Sequence, residues 1–310
     1  MVNETKTRTS WAELPADLID SVEQVLGGVI VKADSQSAGF SPGSADRVVT
    51  REGRRAFVKA VHRERNEGAY ELHQREIDVM RWIPEGVNVP ALLGSYLTDD
   101  WVALILEDVE GRHPGSTGDG SDVAAVLDAF ASFPRLSGAA LITLPSASDE
   151  FIEERDSWAV LAADAVAVPE WAHSVRDRLR ASGERVSEVV RGEYLQHLDG
   201  RADNVLIDTA GTAWVIDWPW AGAGVRWLDG VLYLLDARFR GERVDAEELL
   251  RTHPLFEGVS AADVDSVLAS ITGRFFDKAR LPAQPNMPTL REFQLQQGLA
   301  GMEWLRERWS

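Results

Sequence analysis

The sequence predicts an α+β chain in two unequal lobes. A small N-terminal lobe of antiparallel strands with one helix takes residues 1–107, and a larger, mainly helical C-terminal lobe takes residues 108–310. Three observations predict it. Short valine-rich runs separated by turn signals fill the first hundred residues. The polar, glycine-rich stretch Gly111 to Gly120 then changes the texture of the chain. Beyond it most segments carry helical spacing, interrupted by one pocket of β character between Asn204 and Ile216.

Taken in order, Gly28 to Ala33, Arg47 to Thr50 and Ala56 to Val61 are short and rich in valine. Ser41-Pro42-Gly43 and Glu52-Gly53 separate them as antiparallel hairpins require. Glu67 to Ile83 places Tyr70, Ile77, Met80 and Ile83 at helical spacing and is stopped by Pro84. Ser95-Tyr96-Leu97, the turn Asp99-Asp100 and Trp101 to Leu106 make one more hairpin. In the second lobe, Val123 to Phe133, Trp171 to Val190, Trp227 to Phe239, Ala246 to Thr252, Ala261 to Phe276 and Leu290 to Trp309 support amphipathic helices. Asn204 to Ile207 and Thr212 to Ile216 flank the turn Thr209-Ala210-Gly211 and form a small hairpin.

Composition narrows the chemistry. With 45% apolar and 26% charged residues the chain is ordinary globular protein. Its net charge of −18 argues against a nucleic-acid backbone or an anionic membrane as partner, because both would be repelled. No cysteine is present, which removes disulfides, thiol catalysis and cysteine-bound metals together. Residues 1–107 carry a net −5 and the remainder −13, so a cleft in the larger lobe would favour cationic substrates. A solvated acidic helix face explains the same excess. The first residues lack the apolar core of a signal peptide, and no uncharged apolar run approaches eighteen residues. A cytoplasmic location is the expectation.

The stretch His197-Leu198-Asp199-Gly200-Arg201-Ala202-Asp203-Asn204 is the most informative. Its H-x-D-x-x-x-x-N spacing sets a carboxylate, a cation and an amide in one tight loop before a hairpin. Thirteen residues after Asn204, at the end of that hairpin, comes Asp217. A hairpin of this length folds back and brings Asp217 beside Asn204. Two oxygen ligands, one anionic, suit magnesium, which takes the rest of its shell from water and substrate phosphates. Asp199 is then free to accept a proton from an attacking hydroxyl. The competing reading is a loop in which Asp199 and Asn204 only cap backbone groups. His197 organises the loop rather than reacting.

A site of this kind also needs a nucleotide holder, and the small lobe offers one. Gly39-Phe40-Ser41-Pro42-Gly43-Ser44 joins two strands, with backbone amides and the Ser41 and Ser44 hydroxyls able to face phosphate oxygens. Lys59 is a lone cation among apolar strand neighbours and wants an anionic partner, for which Glu76 on the next helix is the candidate. Taken alone, Lys59 reads equally as an edge-strand lysine facing water. Trp218 and Trp220 flank Asp217 and either line an acceptor pocket or belong to the core.

The order of glycine-containing hairpin, strand lysine, helix glutamate, H-x-D-x-x-x-x-N and Ile216-Asp217-Trp218 resembles the aminoglycoside phosphotransferase family. These relatives of choline kinases and protein kinases share a bilobal kinase fold. The resemblance covers residues 28 to 240. It implies that Asp199 is the catalytic base, that Asn204 and Asp217 bind Mg2+, and that Lys59, positioned by Glu76, holds the α- and β-phosphates. It also implies that Arg201 stands near the transferring phosphoryl group, and that the backbone of Glu107 and Val109 meets the adenine edge at the interlobe hinge. Two departures stand out. The nucleotide loop is not G-x-G-x-x-G, and Asp217 is followed by Trp218-Pro219 rather than Phe-Gly, which argues against a regulated protein kinase. Asp229 begins a helix, where it either braces the catalytic loop or serves as an N-cap.

The expectation is therefore an ATP- and Mg2+-dependent enzyme, with GTP the alternative donor, that phosphorylates a hydroxyl of an antibiotic or aminosugar-like small molecule. Rival expectations are a metabolic sugar or amino-alcohol kinase and a silent nucleotide-binding pseudokinase, with a protein kinase third. The expected assembly is a monomer or homodimer.

Overall fold

Leu18, Val22 and Leu26 recur every fourth residue, and they are the buried stripe of a first helix, α1 (Ala16–Leu26). The sequence reading assigned no element before Gly28, although this spacing was present. The small lobe thus holds two helices, not one. The computed structural model describes residues 9–36, 43–115, 120–152, 156–163, 168–283 and 289–310.

Five strands follow: β1 (Ile30–Ser35), β2 (Ser44–Thr50), β3 (Arg55–His62), β4 (Leu92–Leu97) and β5 (Trp101–Leu106), with α2 (Glu67–Met80) between β3 and β4. They form one antiparallel sheet in the order β1-β2-β3-β5-β4. Alternation decides what each face carries. Val58 and Ala60 of β3 with Ala103 and Ile105 of β5 pack with α1 on one face. Val61, Val102 and Leu104 pack with Tyr70 and Ile77 of α2 on the other. Lys59 lies between Val58 and Ala60 in sequence, so it projects to the α2 face. Asn66 caps α2 by accepting from the Ala69 N–H, and the helix ends at Met80, three residues earlier than its spacing suggests.

The larger lobe contains α3 (Val123–Ala131), α4 (Gly138–Thr143), α5 (Ala147–Ile152), α6 (Ser157–Ala163), α7 (Glu170–Ser174), α8 (Arg176–Glu184) and α9 (Val186–Val189). After them come α10 (Leu228–Phe239), α11 (Ala246–Thr252), α12 (Ala261–Ala279) and α13 (Leu290–Arg308). The single helix expected over Trp171 to Val190 is three, because Val175 (φ −121°, ψ 15°) leaves helical geometry and a further break follows at Arg185. The short strands are β6 (Gly111–Arg112), β7 (Tyr194–Gln196), β8 (Val205–Asp208), β9 (Ala213–Val215) and β10 (Gly222–Gly224). The hairpin β8–β9 gains β6 as a third strand, and β7 pairs with β10. These ribbons put residues 197–204 and 216–221 at the face of the lobe that meets the sheet.

Trp218 and Trp304 are fully buried in this lobe, and Trp158 donates its indole N–H to the Ala269 carbonyl at 2.8 Å. Among the described residues no helix is long and apolar enough to cross a membrane.

Candidate active site

The strand alternation that turns Lys59 toward α2 brings its Nζ within 3.0 Å of both carboxylate oxygens of Glu76. The same ammonium reaches Asp217 Oδ1 at 2.6 Å, so one cation ties the sheet, α2 and the larger lobe together. Glu76 is 2% exposed and Asp217 48% exposed, so the pair opens toward the cleft on the Asp217 side only. Burial works against the charge on Lys59, but the carboxylates of Asp217 and Glu76 outweigh it and hold its pKa above the ordinary value. Burial likewise opposes ionisation of Asp217, yet the Lys59 charge and hydrogen bond bring it down to about 2. For Glu76 burial prevails over Lys59 and raises the pKa. His73, one helical turn before Glu76, is pushed down to about 4 by burial and the neighbouring Lys59 charge, so its imidazole is neutral near pH 7.

The loop 197–204 is held from three sides. Both N–H groups of His197 and Leu198 donate to the Asp229 carboxylate, at 2.6 and 2.8 Å. Asp229 is fully buried and lies within α10, so it braces the loop, and no side-chain cap is made at this helix start. The His197 Nε2 meets the carbonyls of Ile216 (3.0 Å) and Asp217 (2.7 Å), and because carbonyls only accept, Nε2 carries the proton. Gly200 fits where a Cβ would stand 2.7 Å from the Asp229 carbonyl oxygen, so the loop can lie directly on α10. Leu198 (φ 63°) and Asp217 (φ 66°) both hold left-handed backbone without being glycine. Such strain survives where surrounding bonds over-determine it, and it aims the two aspartates, 199 and 217.

Asn204 donates its Nδ2 to Asp199 Oδ2 at 2.8 Å and to the Asp199 carbonyl at 3.0 Å. That fixes the amide orientation and leaves the Asn204 carbonyl oxygen as an acceptor. The Asp199 side chain is 30% exposed, with Arg201 Nε 3.6 Å from it. Arg201 makes a two-pronged contact with Asp203, at 3.0 and 2.8 Å. Burial disfavours its charge, but Asp199 and Asp203 outweigh that and raise its pKa.

At the hinge, Glu107 gives its N–H to the Ala91 carbonyl, and the Val109 carbonyl accepts from Arg47. What remains for the edge of a ligand is the Glu107 carbonyl and the Val109 N–H. Between them Asp108 is clamped by Arg47 (3.0 Å) and Arg55 (2.7 Å). This clamp was not foreseen from sequence. Arg47 and Arg55 lie on neighbouring strands, but their shared partner is set by the fold. Ser44 is 3% exposed, and its hydroxyl donates to the buried Asp46, so its proton does not face the cleft. Ser41 lies outside the described residues. Gly43 begins the described part of that hairpin, and a Cβ there would overlap the Ala60 carbonyl.

Two cavities are lined by these residues. One, of about 220 Å³, has Lys59, Glu76, Asn204 and Asp217 at its polar end and Phe57, Leu106, Leu206 and Ile216 along its walls, with Glu107 and Val109 at its rim. The other, of about 240 Å³, is lined by Asp199, Arg201, Trp220, α10, α12 and α13. The Asn204–Asp199 hydrogen bond links the two. Of the flanking tryptophans, Trp218 is core and Trp220 faces the second cavity. One carboxylate and one amide oxygen, hard and anionic enough for magnesium but too few to enclose it, fit an ion that arrives carried by phosphates. Consistently, among the described residues no three His, Cys, Asp or Glu side chains gather as a metal cage.

A family model described as a phosphotransferase enzyme family matches residues 38–259. Solved structures share the fold, among them these three. One is a thermostable mutant of aminoglycoside phosphotransferase APH(4)-Ia with ADP and hygromycin B, 16% identical, with 94% of this chain and 98% of that chain covered and a TM-score of 0.57. Choline kinase LicA from Streptococcus pneumoniae is 15% identical, with 93% and 96% covered and a TM-score of 0.56. Amicoumacin kinase hAmiN, in complex with AMP-PNP, Ca2+ and Ami, is 12% identical, with 93% and 94% covered and a TM-score of 0.54. A search of curated proteins finds no match.

Proposed function

The chain belongs to the phosphotransferase enzyme family, and from that premise we propose an ATP- and Mg2+-dependent kinase acting on a hydroxyl of an antibiotic or aminosugar-like small molecule in the cytoplasm. The observation that carries the reading is the hydrogen bond from Asn204, on one cavity, to Asp199, on the other. Lys59, Glu76 and Asp217 line the first, and the Asn204-oriented Asp199 lines the second. The solved structures with ADP or AMP-PNP in their names support ATP as donor.

Lys59, kept charged by its two carboxylates, is the group to hold phosphate oxygens. The Glu107 carbonyl and Val109 N–H are the pair to hold the purine edge, between the apolar walls of Phe57, Leu106 and Ile216. Asn204 and Asp217 would hold Mg2+, which when bound neutralises phosphate charge. Asp199 accepts the proton of the acceptor hydroxyl as that oxygen bonds to the γ-phosphorus. The bond from phosphorus to the bridging oxygen breaks, and ADP leaves with the electron pair. Arg201, anchored by Asp203, steadies the Asp199 carboxylate and lends positive charge beside the transferred group. Positioning and charge neutralisation supply most of the rate.

The test is Asp199→Ala with radiolabelled ATP and a substrate that the wild type turns over. Loss of at least about 1,000-fold in kcat with ATP binding retained is expected. Near-wild-type turnover would defeat the mechanism.

A further inference from the structure

Alternation along β2 buries Ser44, Asp46, Val48 and Thr50 and leaves Arg47 between them on the other face. Arg47 lines the same cavity as Lys59, with its side chain 28% exposed. Its Nη2 donates to the Val109 carbonyl at 2.7 Å, and among the described residues no other donor reaches that carbonyl. The guanidinium also stands 3.0 Å from Asp108 Oδ1, yet among the described residues that oxygen makes no hydrogen bond. The aligned bond of Arg47 is therefore the one to Val109. Asp108 has a second cation, because Arg55 donates its Nε to Oδ2 at 2.9 Å and brings Nη2 within 2.7 Å. Arg47 and Arg55 share the task of holding Asp108, but Arg47 alone covers the Val109 carbonyl.

That cover decides which purine the hinge reads. The hinge has three backbone groups for a base edge, the Glu107 carbonyl, the Val109 N–H and the Val109 carbonyl. With the third engaged by Arg47, one acceptor followed by one donor remains. Adenine presents its 6-amino donor beside the N1 acceptor and matches that pair with nothing left over. Guanine presents the O6 acceptor beside two donors, N1–H and the 2-amino group. Seated with O6 on the Val109 N–H, guanine brings its donors to the Val109 carbonyl. That carbonyl keeps a second lone pair, but a guanidinium at 2.7 Å sets positive charge against an incoming N–H. Seated the other way, with N1–H on Glu107, guanine turns its 2-amino group toward the apolar wall of Leu106 and Met80. There the amino group loses water and gains no acceptor. A polar edge left unpaired is rejected more strongly than a loose fit.

We infer that Arg47 is a specificity-determining residue of the donor site, which by engaging the Val109 carbonyl makes the hinge accept adenine nucleotides and reject guanine nucleotides. The inference rests on the kinase reading, which seats the purine at Glu107 and Val109, and deepens it by naming the residue that selects the base.

The experiment measures binding of Mg2+ with AMP-PNP or GMP-PNP to the full-length chain by calorimetry. The wild type should bind AMP-PNP at least about 30-fold more tightly. Arg47→Met keeps the side chain's length and drops its charge. It should narrow that ratio about tenfold, through a rise in GMP-PNP affinity. Arg47→Gln should shift the ratio the same way, which covers the case of a methionine variant that does not fold. Arg55→Met removes the other cation on Asp108 and leaves the Val109 carbonyl covered, so its ratio should stay within about twofold of wild type. A general loosening of the hinge would move the ratio alike in the Arg47 and Arg55 variants, and that result overturns the inference. So does a wild type that binds GMP-PNP as tightly as AMP-PNP, a ratio that both Arg47 variants leave unchanged, or a narrowing that comes from lost AMP-PNP affinity alone. Any of these spares the kinase reading, whereas a wild type that binds neither nucleotide removes that reading and the inference with it.

Discussion

Removing the Asp229 carboxylate should both destabilise and misaim the loop 197–204. In Asp229→Ala the buried N–H of His197 and the half-buried N–H of Leu198 lose acceptors at 2.6 and 2.8 Å. Hydrogen bonds to a charged acceptor contribute about 1.5–3 kcal/mol each. Burial of the carboxylate, which raises its own pKa, offsets part of this. The net loss is about 3 kcal/mol. Asp229→Asn replaces one acceptor with a donor that faces an N–H, and recovers at most about half. Urea unfolding followed by tryptophan fluorescence measures the loss. Steady-state kinetics measures the aim. Leu198 holds φ 63° only under this restraint, so its release lets Asp199 move. A displacement near 1 Å costs on the order of 100-fold in kcat. KM for ATP should stay within about twofold, since no residue of α10 lines the nucleotide-side cavity. An Asp229→Ala protein within about 0.5 kcal/mol of wild type, with turnover intact, would refute the bracing role.

Lys59→Met leaves Glu76 buried without its cation, so a stability loss of about 3 kcal/mol by denaturant titration should accompany a sharp fall in ATP affinity. His73 yields a pH prediction. Its imidazole has an ordinary value of 6.5 and is held at about 4. Between those pH values the unfolded chain binds a proton and the folded chain does not, so stability falls as pH drops through the window. The full span amounts to about 3 kcal/mol at about 1.4 kcal/mol per pH unit. Unfolding free energies at pH 7 and 4.5 should differ less in His73→Gln than in wild type, and equal pH slopes would show that the imidazole is not so held. Gly43→Ala forces a Cβ into the Ala60 carbonyl at the lip of the nucleotide-side cavity. It should weaken ATP binding at least about tenfold, measured by calorimetry, with acceptor KM unmoved.

Much of this molecule is written locally. Alternation in Phe57-Val58-Lys59-Ala60-Val61 fixed a buried strand with one cation on its α2 side, and four-residue spacing fixed α2 with Glu76 on its buried face. Within the loop from His197 to Asn204 and its following hairpin, the Asn204–Asp199 and His197–Asp217 contacts were legible because their partners lie within twenty residues. What only the tertiary structure decided are the contacts between distant segments. Lys59 meets Asp217 across 158 residues, and the Asp108 clamp joins the hinge to β2 and β3. The cavity beside Asp199 draws its lining from α5, the loop 197–204, α10, α12 and α13. Periodicity reports which face of an element is buried, since that depends on a few neighbouring residues. It does not report which other element covers that face, because that depends on how the whole chain returns on itself.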